Sequence, residues 1–321
     1  MLENVIYYDQ RPPHIEKLLI EYAKPDIDLK FYEPSYGERG SLEEAEALLA
    51  HSRGVTKEII DKAPKLKIIQ VASVGYNQHD IEYAREKGIY VCNCANGASD
   101  CVAELVIGLM ISLSRRINQL AEKVKQGEWL NWTYRHDTHT IIGKTLGVIG
   151  AGGIGRAVLK RCRAFDMREL YYDIRRMPEE LEREIGAQYV DLNTLLRESD
   201  VVMLLVPLLP STYHMLGSEQ FKLMKKSAII INDSRGECID QEALVEALKN
   251  HEIWGAALDV VYPEPLPPDA PLLQLKDSHV IVTPHMGSAT TELLEELFKV
   301  ACSNVEKALR GERPDNIVNG L

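Results

Sequence analysis

The chain has 321 residues, 45% of them hydrophobic and 26% charged, which is the profile of an ordinary globular protein of about two domains. Its 37 basic and 48 acidic residues give a net charge of −11, which argues against a nucleic-acid or anionic-membrane surface because no overall positive field attracts phosphates. Without a secretory signal pattern, an apolar run of the ~18 residues that span a membrane, or a dense cysteine framework, the chain is expected to be cytoplasmic with reduced thiols.

Short apolar runs typical of β-strands alternate with amphipathic segments through the first hundred residues. The runs lie at 5–9, 27–32, 66–73 and 89–94. Helices are predicted after Ser41 and Thr56, because each of these capping residues is followed by acidic residues in the next turn. This alternation predicts a parallel sheet covered by helices.

A long helix is predicted from about Ser99 to Lys125, apolar on several faces, so we expect it to pack between two domains or against a second subunit. The irregular segment 127–143 that follows is rich in tryptophan and histidine. His136 and His139 lie in it, but two histidines without a third well-placed ligand predict no metal site.

A second alternating series begins after this segment. Its predicted strands lie at 145–149, 169–173, 201–207, 227–233, 253–260 and 279–284. A long amphipathic helix at 289–311, ended by a glycine, closes the chain. The sequence therefore predicts an α/β fold with two parallel sheets.

A glycine-rich loop follows the first strand of this second series and opens a helix. It contains Gly150, Gly152, Gly153, Ile154 and Gly155. Gly150 permits the tight turn, Gly152 lets the backbone approach a pyrophosphate, and Gly155 lets the helix pack closely on the strand. The loop predicts a dinucleotide site.

The choice of dinucleotide is predicted from the end of the next strand. Asp173 follows the glycines at close to the usual spacing of about 20 residues. Its carboxylate would accept hydrogen bonds from the ribose hydroxyls and repel a 2′-phosphate, which favours NAD (NADH) over NADP. Arg175 and Arg176 follow directly and can soften that preference.

Three later residues at strand ends suit the oxidation of an alcohol beside a carboxylate: Arg235, Glu264 and His285. Histidine can exchange a proton with the alcohol oxygen, and a carboxylate on its other ring nitrogen fixes the tautomer. Arginine can bind a carboxylate through two N–H groups and polarise a ketone oxygen. Taken singly, each residue also has an ordinary structural explanation, so the prediction depends on the combination.

From residue 66 to residue 290 the sequence resembles the D-isomer-specific 2-hydroxyacid dehydrogenase family. The matching motifs are "GKTLGVIGAGGIG", "NDSRG" with Arg235, "PEPLP" with Glu264 and "TPHMGS" with His285. The resemblance implies two Rossmann-like doubly wound parallel-sheet domains, with the NAD domain inserted into a discontinuous substrate domain. The corresponding boundaries are 102–287 for the NAD-binding domain and 1–101 plus 288–321 for the substrate-binding domain.

The resemblance also implies roles for individual residues. Backbone N–H groups at Val74 and Gly75 should bind the substrate carboxylate, and Tyr76 should shape the pocket. Asp259 should meet the nicotinamide carboxamide. The residues expected to line the cofactor are Val206, Pro207 and Thr212. Family members are commonly homodimers through the inserted domain, and we expect the same here.

The sequence departs from the family pattern at two places. Val261 and Tyr262 stand where an aromatic residue and an acid are usual, which affects local packing more than chemistry. Ala98 and Asp100 are atypical residues in the turn 96–102, which we expect to help shape the pocket.

These features predict an NAD(H)-dependent oxidoreductase that interconverts a short D-2-hydroxy acid and its 2-keto acid, of the glyoxylate/hydroxypyruvate reductase or glycerate dehydrogenase type. A phosphite enzyme is disfavoured because no lysine lies between Lys67 and Lys87. A D-3-phosphoglycerate dehydrogenase-like enzyme is an alternative, with Arg53 as the nearby cation. An NAD-sensing, corepressor-like binding protein is a second alternative.

Overall fold

The computed structural model describes residues 2–23, 25–51, 53–94, 98–275 and 279–321. The chain divides into two compact units, Met1–Ala98 with Thr290–Leu321, and Ser99–Ala289. The sequence-based domain boundaries at 101/102 and 287/288 stay a prediction. Positions 96 and 97 of the turn expected to shape the pocket lie outside the described residues.

The first unit contains a five-stranded parallel sheet. Its strands are β1 (Leu2–Tyr7), β2 (Ile27–Phe31), β3 (Ala47–Ala50), β4 (Ile68–Val71) and β5 (Tyr90–Cys92), in the order β2-β1-β3-β4-β5. Its helices are α1 (Pro13–Ala23), α2 (Lys57–Asp61), α3 (Ile81–Glu86) and α11 (Thr291–Leu309). Every residue of β3 and β4 is buried, as expected for central strands with both faces covered.

The carboxyl-terminal segment folds with the first hundred residues. The side-chain amide of Asn304 on α11 donates to Gln70 Oε1 on β4 at 2.9 Å, and both residues are buried. Asn319 accepts from the Val91 N–H at 3.2 Å and donates to the Ile89 carbonyl at 2.8 Å. These buried polar groups satisfy one another across more than 200 residues of sequence, so the first unit is discontinuous.

The prediction of a helix after Ser41 is wrong. Ser41 caps only a single 3-10 turn, Leu42–Glu44, and the chain then enters β3. The leucines and alanines of β3 lie between β1 and β4, where burial on both faces overrides their helix propensity.

The second unit contains a seven-stranded parallel sheet. Its strands are β6 (Thr145–Ile149), β7 (Arg168–Tyr172), β8 (Gln188–Tyr189), β9 (Val201–Leu204), β10 (Ile229–Asn232), β11 (Gly255–Leu258) and β12 (His279–Val282), in the order β12-β11-β10-β9-β6-β7-β8. Its helices are α4 (Ala98–Arg115, which begins at the last residue of the first unit), α5 (Ile117–Lys125), α6 (Gly153–Cys162), α7 (Glu179–Ile185), α8 (Leu192–Glu198), α9 (Ser218–Leu223) and α10 (Gln241–Lys249). Short 3-10 turns lie at Arg163–Phe165, Gly236–Cys238 and Pro271–Gln274.

The strand order of the second unit locates its ligand crevice. Strand β6 pairs with β7 on one side and with β9 on the other, so the direction of winding reverses at β6. In a doubly wound sheet, ligands bind beyond the carboxyl ends of the strands at this reversal. The predicted fold class, two doubly wound parallel sheets with the second inserted into the first unit, is confirmed.

The helix predicted as one element over 99–125 is interrupted. Arg116 has a φ of 53°, in the left-handed region, and it separates α4 from α5. Its side chain is 7% exposed and pairs with Asp137 of the following loop. The break and the ion pair coincide at Arg116, and no periodicity in the sequence reveals either of them.

No helix within the described residues is both long enough and apolar enough to cross a membrane.

Candidate functional site

The glycine loop after β6 has the backbone that its sequence predicts. Gly150 has a φ of 100°, and a Cβ there would lie 2.4 Å from the Leu205 carbonyl oxygen. A Cβ at Gly155 would lie 2.0 Å from the Gly150 carbonyl oxygen. A Cβ at Gly152 would meet no described atom within 4 Å. The loop is therefore closely packed at Gly150 and Gly155 and open at Gly152, at the amino end of α6. This geometry admits a pyrophosphate.

Asp173, at the end of β7, is braced against this loop. Its Oδ2 accepts from the Ala151 N–H at 2.8 Å, and its Oδ1 accepts from the Arg175 N–H at 3.0 Å. The carboxylate is thereby fixed beside the glycines, where it can accept hydrogen bonds from a ribose. Ile154 lies in the first turn of α6 and is half-buried. The residues of the loop fit an NAD cofactor.

The three residues after β9 expected to line the cofactor differ in their position relative to the glycine loop. Val206 approaches the loop, because a Cβ at Gly150 would lie 2.9 Å from its Cγ1. Pro207 is exposed. Thr212 is 8% exposed, and its hydroxyl donates to the Pro207 carbonyl at 2.7 Å and accepts from the Leu209 N–H at 2.8 Å. Thr212 therefore shapes this turn with a hydroxyl that is already engaged.

The second unit brings His285 and Glu264 into direct contact. Nδ1 of His285 lies 2.9 Å from Glu264 Oε2, and Glu264 Oε1 accepts from the Val261 N–H at 3.2 Å. Because an ionised carboxylate only accepts, Nδ1 carries the hydrogen of this bond. The lone pair of the neutral ring is therefore on Nε2, which becomes the nitrogen available for proton exchange.

The pair sets the charge of both groups. The hydrogen bond to Glu264 is the largest cause that raises the pKa of His285, and it outweighs the opposing effect of burial. For Glu264, burial raises the pKa, but the hydrogen bond from His285 and its charge leave the pKa below its ordinary value. The imidazolium form of His285 therefore persists to higher pH than that of a free histidine.

Arg235 lies within electrostatic reach of this pair, since its charge lowers the pKa of both His285 and Glu264. Its Nη1 donates to the Ser234 carbonyl at 2.7 Å, and its own carbonyl accepts from Asn232 at 3.1 Å. In the described part of the chain, no carboxylate forms an ion pair with its guanidinium. The guanidinium can therefore bind an incoming anion.

Asp259 holds the turn that carries His285. It is 1% exposed, and its carboxylate accepts from the Met286 N–H at 2.9 Å, the Gly287 N–H at 2.7 Å and the Thr283 hydroxyl. Its carbonyl accepts from the His285 N–H at 2.9 Å. The Asp259 carboxylate therefore stabilises the backbone of the turn that positions His285.

Asp233 is a titratable residue of this edge that sequence reasoning missed. A Cβ at Gly287 would lie 2.8 Å from each of its carboxylate oxygens, so Asp233 packs against the turn of His285. Its Oδ2 is buried without a hydrogen-bond partner among the described residues. Burial, followed by the charge of Asp259, raises the pKa of Asp233 to about 7. The available signal was an acid directly after a buried strand, one residue before "SRG".

The first unit holds the remaining predicted residues, in the turn after β4. Val74 is exposed, and Gly75 and Tyr76 are half-buried. The Val74 carbonyl accepts from Asn93 at 2.7 Å and the Gly75 carbonyl from Ser73 Oγ at 2.9 Å. Among the described residues the N–H groups of Val74 and Gly75 donate to no protein acceptor. Their role as carboxylate donors stays a prediction.

Within the described residues no group of three or more histidine, cysteine, aspartate or glutamate side chains is arranged to hold a metal ion. His139 instead packs edge-on against Trp254, with ring centroids 4.9 Å apart, and His136 is exposed.

A doubly wound sheet with a glycine loop at its winding reversal, together with a histidine–carboxylate pair and an available guanidinium, defines a dinucleotide-dependent oxidoreductase. Residues 107–287 match the family model described as D-isomer specific 2-hydroxyacid dehydrogenase, NAD binding domain. The chain belongs to the D-isomer specific 2-hydroxyacid dehydrogenase family, and it is an NAD-dependent oxidoreductase.

Three relatives illustrate the range of the family. A glyoxylate reductase of Thermococcus litoralis is 44% identical over 270 residues, which are 83% of this chain and 80% of that protein. A D-3-phosphoglycerate dehydrogenase of Methanocaldococcus jannaschii is 44% identical over 280 residues, which are 87% of this chain and 52% of that enzyme. A structure of D-lactate dehydrogenase from Aquifex aeolicus with NAD and lactic acid matches with a TM-score of 0.86 and 30% identity, covering 99% of this chain and 100% of that chain.

Proposed function

We propose that this enzyme reduces a short 2-keto acid, glyoxylate or hydroxypyruvate, to the corresponding hydroxy acid with NADH, and catalyses the reverse oxidation of the D-2-hydroxy acid. The observation that carries the proposal is an arginine that forms no ion pair with a carboxylate of the described residues, within electrostatic reach of a histidine already paired with a glutamate. One group recognises the acid and the other exchanges the proton. The glyoxylate reductase of Thermococcus litoralis supports the substrate class.

Each residue has a distinct task in this proposal. Bound NADH supplies the hydride for the carbonyl carbon. Arg235 binds the substrate carboxylate and polarises the carbonyl oxygen. His285 donates the proton to that oxygen from Nε2, while Glu264 holds the ring and stabilises the imidazolium.

The pKa of His285 favours reduction near neutral pH. Reduction requires the imidazolium, and the raised pKa of His285 increases its fraction there. Oxidation requires the neutral ring, so its rate should rise as pH rises through the same pKa, where the rate of reduction falls.

The decisive experiment measures NADH oxidation with a panel of keto acids: glyoxylate, hydroxypyruvate, pyruvate, phosphohydroxypyruvate and branched-chain analogues. We expect the highest kcat/KM for glyoxylate or hydroxypyruvate. A preference for phosphohydroxypyruvate would support the phosphoglycerate alternative instead. Binding of NADH without turnover of any member would support an NAD-sensing protein.

The phosphoglycerate alternative has less support from the first unit. The Arg53 guanidinium pairs with Glu33 at 3.0 Å and lies over the rings of Tyr8 and Tyr32, at 4.6 and 5.2 Å from their centroids. A phosphate bound by Arg53 would also lie close to the Glu33 carboxylate, whose negative charge would repel it.

We also propose that the enzyme is a homodimer through its NAD-binding domain. Trp129 and Trp132 are 79% and 73% exposed, and Ile117 and Val124 on α5 are about half exposed. Such apolar exposure on one segment is typical of an interaction surface. Sedimentation equilibrium should give twice the chain mass, and Trp129→Ser with Trp132→Ser should shift it toward the monomer.

A further inference from the structure

An arginine that closely follows the proposed ribose-binding acid in the sequence is held by another group. Arg176 is three residues after Asp173, in a segment where a cation would be expected to attract the 2′-phosphate of NADP. Its Nε and Nη2 donate to the two carboxylate oxygens of Glu182, at 2.9 and 2.8 Å. This is a bidentate pair, the strongest geometry that arginine forms with a carboxylate.

Glu182 is anchored from the interior of the domain. It lies on α7, is 9% exposed, and accepts a hydrogen bond from the hydroxyl of Tyr171 on β7. That hydroxyl in turn accepts from the Met177 N–H at 2.9 Å. The buried ring of Tyr171 therefore fixes both Glu182 and the segment that carries Arg176.

The charges of Glu182 and Arg176 neutralise each other in this network. The hydrogen bond from Arg176 lowers the pKa of Glu182 to about 2, so the carboxylate stays ionised throughout the working range of pH. The Arg176 side chain is nevertheless 56% exposed, so its guanidinium is accessible but neutralised.

We propose that Glu182 is a positioning residue for cofactor choice, which keeps Arg176 from binding a 2′-phosphate and so reinforces the preference for NAD that Asp173 establishes. The inference rests on the proposed place of the adenosine ribose beside Asp173. Asp173 acts directly, by repelling the phosphate. Glu182 acts through Arg176, by occupying the guanidinium that would otherwise attract the phosphate.

The test is a cycle of variants read by the dissociation constants of NADPH and NADH in calorimetric titrations, without turnover. The background is Asp173→Ala, in which the direct repulsion is absent. Adding Glu182→Gln should tighten NADPH binding about fivefold, the effect of one exposed ion pair, with little change for NADH. Adding Arg176→Ala as well should abolish that gain.

Two controls separate this role from a structural one. Glu182→Asp keeps the charge, so it should leave the NADPH affinity at its background value. Glu198→Gln removes a carboxylate paired with Arg168 at 2.7 Å, at the opposite end of β7, and should change neither affinity. Thermal melting of each variant identifies those that fold.

The outcomes are distinct. A gain in NADPH affinity that survives Arg176→Ala, or that appears equally for NADH, would overturn the role of Glu182. If Asp173→Ala itself left the ratio of NADH to NADPH affinity unchanged, the proposed cofactor position would fail, and the inference with it.

Discussion

One histidine begins strand β12 and another lies in the turn that follows it, and the two differ in exposure, pKa and contacts. His279 is the first residue of the strand, at the amino edge of the sheet, and its side chain is 14% exposed. His285 follows the carboxyl edge, and its side chain is 44% exposed. Each lies beside a carboxylate and within electrostatic reach of an arginine.

At the amino edge the charges neutralise one another. Asp137 pairs with Arg116 and accepts from His279 Nε2 at 3.3 Å. The ring of His279 stacks on Trp254, with centroids 3.8 Å apart. Burial, followed by the charge of Arg116, lowers the pKa of His279, so this histidine favours its neutral form.

At the carboxyl edge the same residue types leave chemistry available. Glu264 supports the imidazolium of His285, while Arg235 has no ion-pair carboxylate among the described residues. The same three residue types therefore bind an anion only at the carboxyl edge, where within the described residues the arginine has no carboxylate to neutralise it. The parallel sheet decides which edge that is, because its loops diverge at the carboxyl ends.

The largest expected effect comes from exchanging the two histidines for alanine. His285→Ala should lower kcat for keto-acid reduction by about 10³-fold, because proton donation is lost, while the dissociation constant of NADH stays within about twofold. His279→Ala should keep kcat and lower the free energy of unfolding by about 1–2 kcal/mol through lost stacking and hydrogen bonding. Steady-state kinetics and urea unfolding measure both. Equal loss of turnover in the two variants would contradict the comparison.

The next effect concerns the arginine. Arg235→Lys keeps the positive charge but removes the planar fork, so kcat/KM for glyoxylate should fall about 100-fold with NADH binding retained. Arg235→Gln should fall further, because the charge is lost as well. A lysine variant with the activity of the wild type would show that the guanidinium geometry is not used.

A smaller effect is expected at the acid. Glu264→Gln removes the cause that raises the pKa of His285, so the pH above which reduction declines should move to lower values. At pH 8 the rate of reduction should fall below that of the wild type, since less imidazolium remains. Oxidation should tolerate the change better, because it uses the neutral ring. The pH profiles of kcat/KM in both directions give the measurement, and coincident profiles for wild type and variant would exclude this role of Glu264.

Much of the fold could be predicted from the sequence because parallel strands are short, apolar and evenly spaced. The errors have specific causes. The run that contains β3 carries a helix-like start at Ser41, and only its place between β1 and β4 makes it a strand. The break at Arg116 coincides with an ion pair to Asp137, a partner 21 residues away that periodicity cannot identify.

The site was predictable to the level of residue types and strand ends. The glycine loop and the His285–Glu264 contact follow from motifs whose spacing places them at one sheet edge. The engagement of the Asp259 carboxylate, the hydroxyl bonds of Thr212 and the burial of Asp233 depend on distances that no spacing encodes. Which polar and charged side chains stay free to bind a ligand is therefore known only once the chain is folded.

The smallest expected effect concerns the free energy that the buried Asp233 carboxyl costs the folded state, because its Oδ2 has no hydrogen-bond partner among the described residues. Burial raises the folded-state pKa of Asp233 to about 7, above the unfolded value near 4. The folded state therefore holds a proton that the unfolded state releases, and stability falls as pH rises between these two values. Asp233→Asn removes that slope and should increase the free energy of unfolding at pH 8, relative to pH 5, by about 2–3 kcal/mol over wild type. The control is Asp191→Asn, whose acid caps α8 and has a lowered pKa, so its contribution is lost only at more acidic pH. Parallel stability curves for wild type and Asp233→Asn between pH 5 and 8 would mean that the Asp233 carboxyl is solvated, and the contrast between the neutralised cluster around His279 and the carboxyl edge would then rest on Arg235 alone.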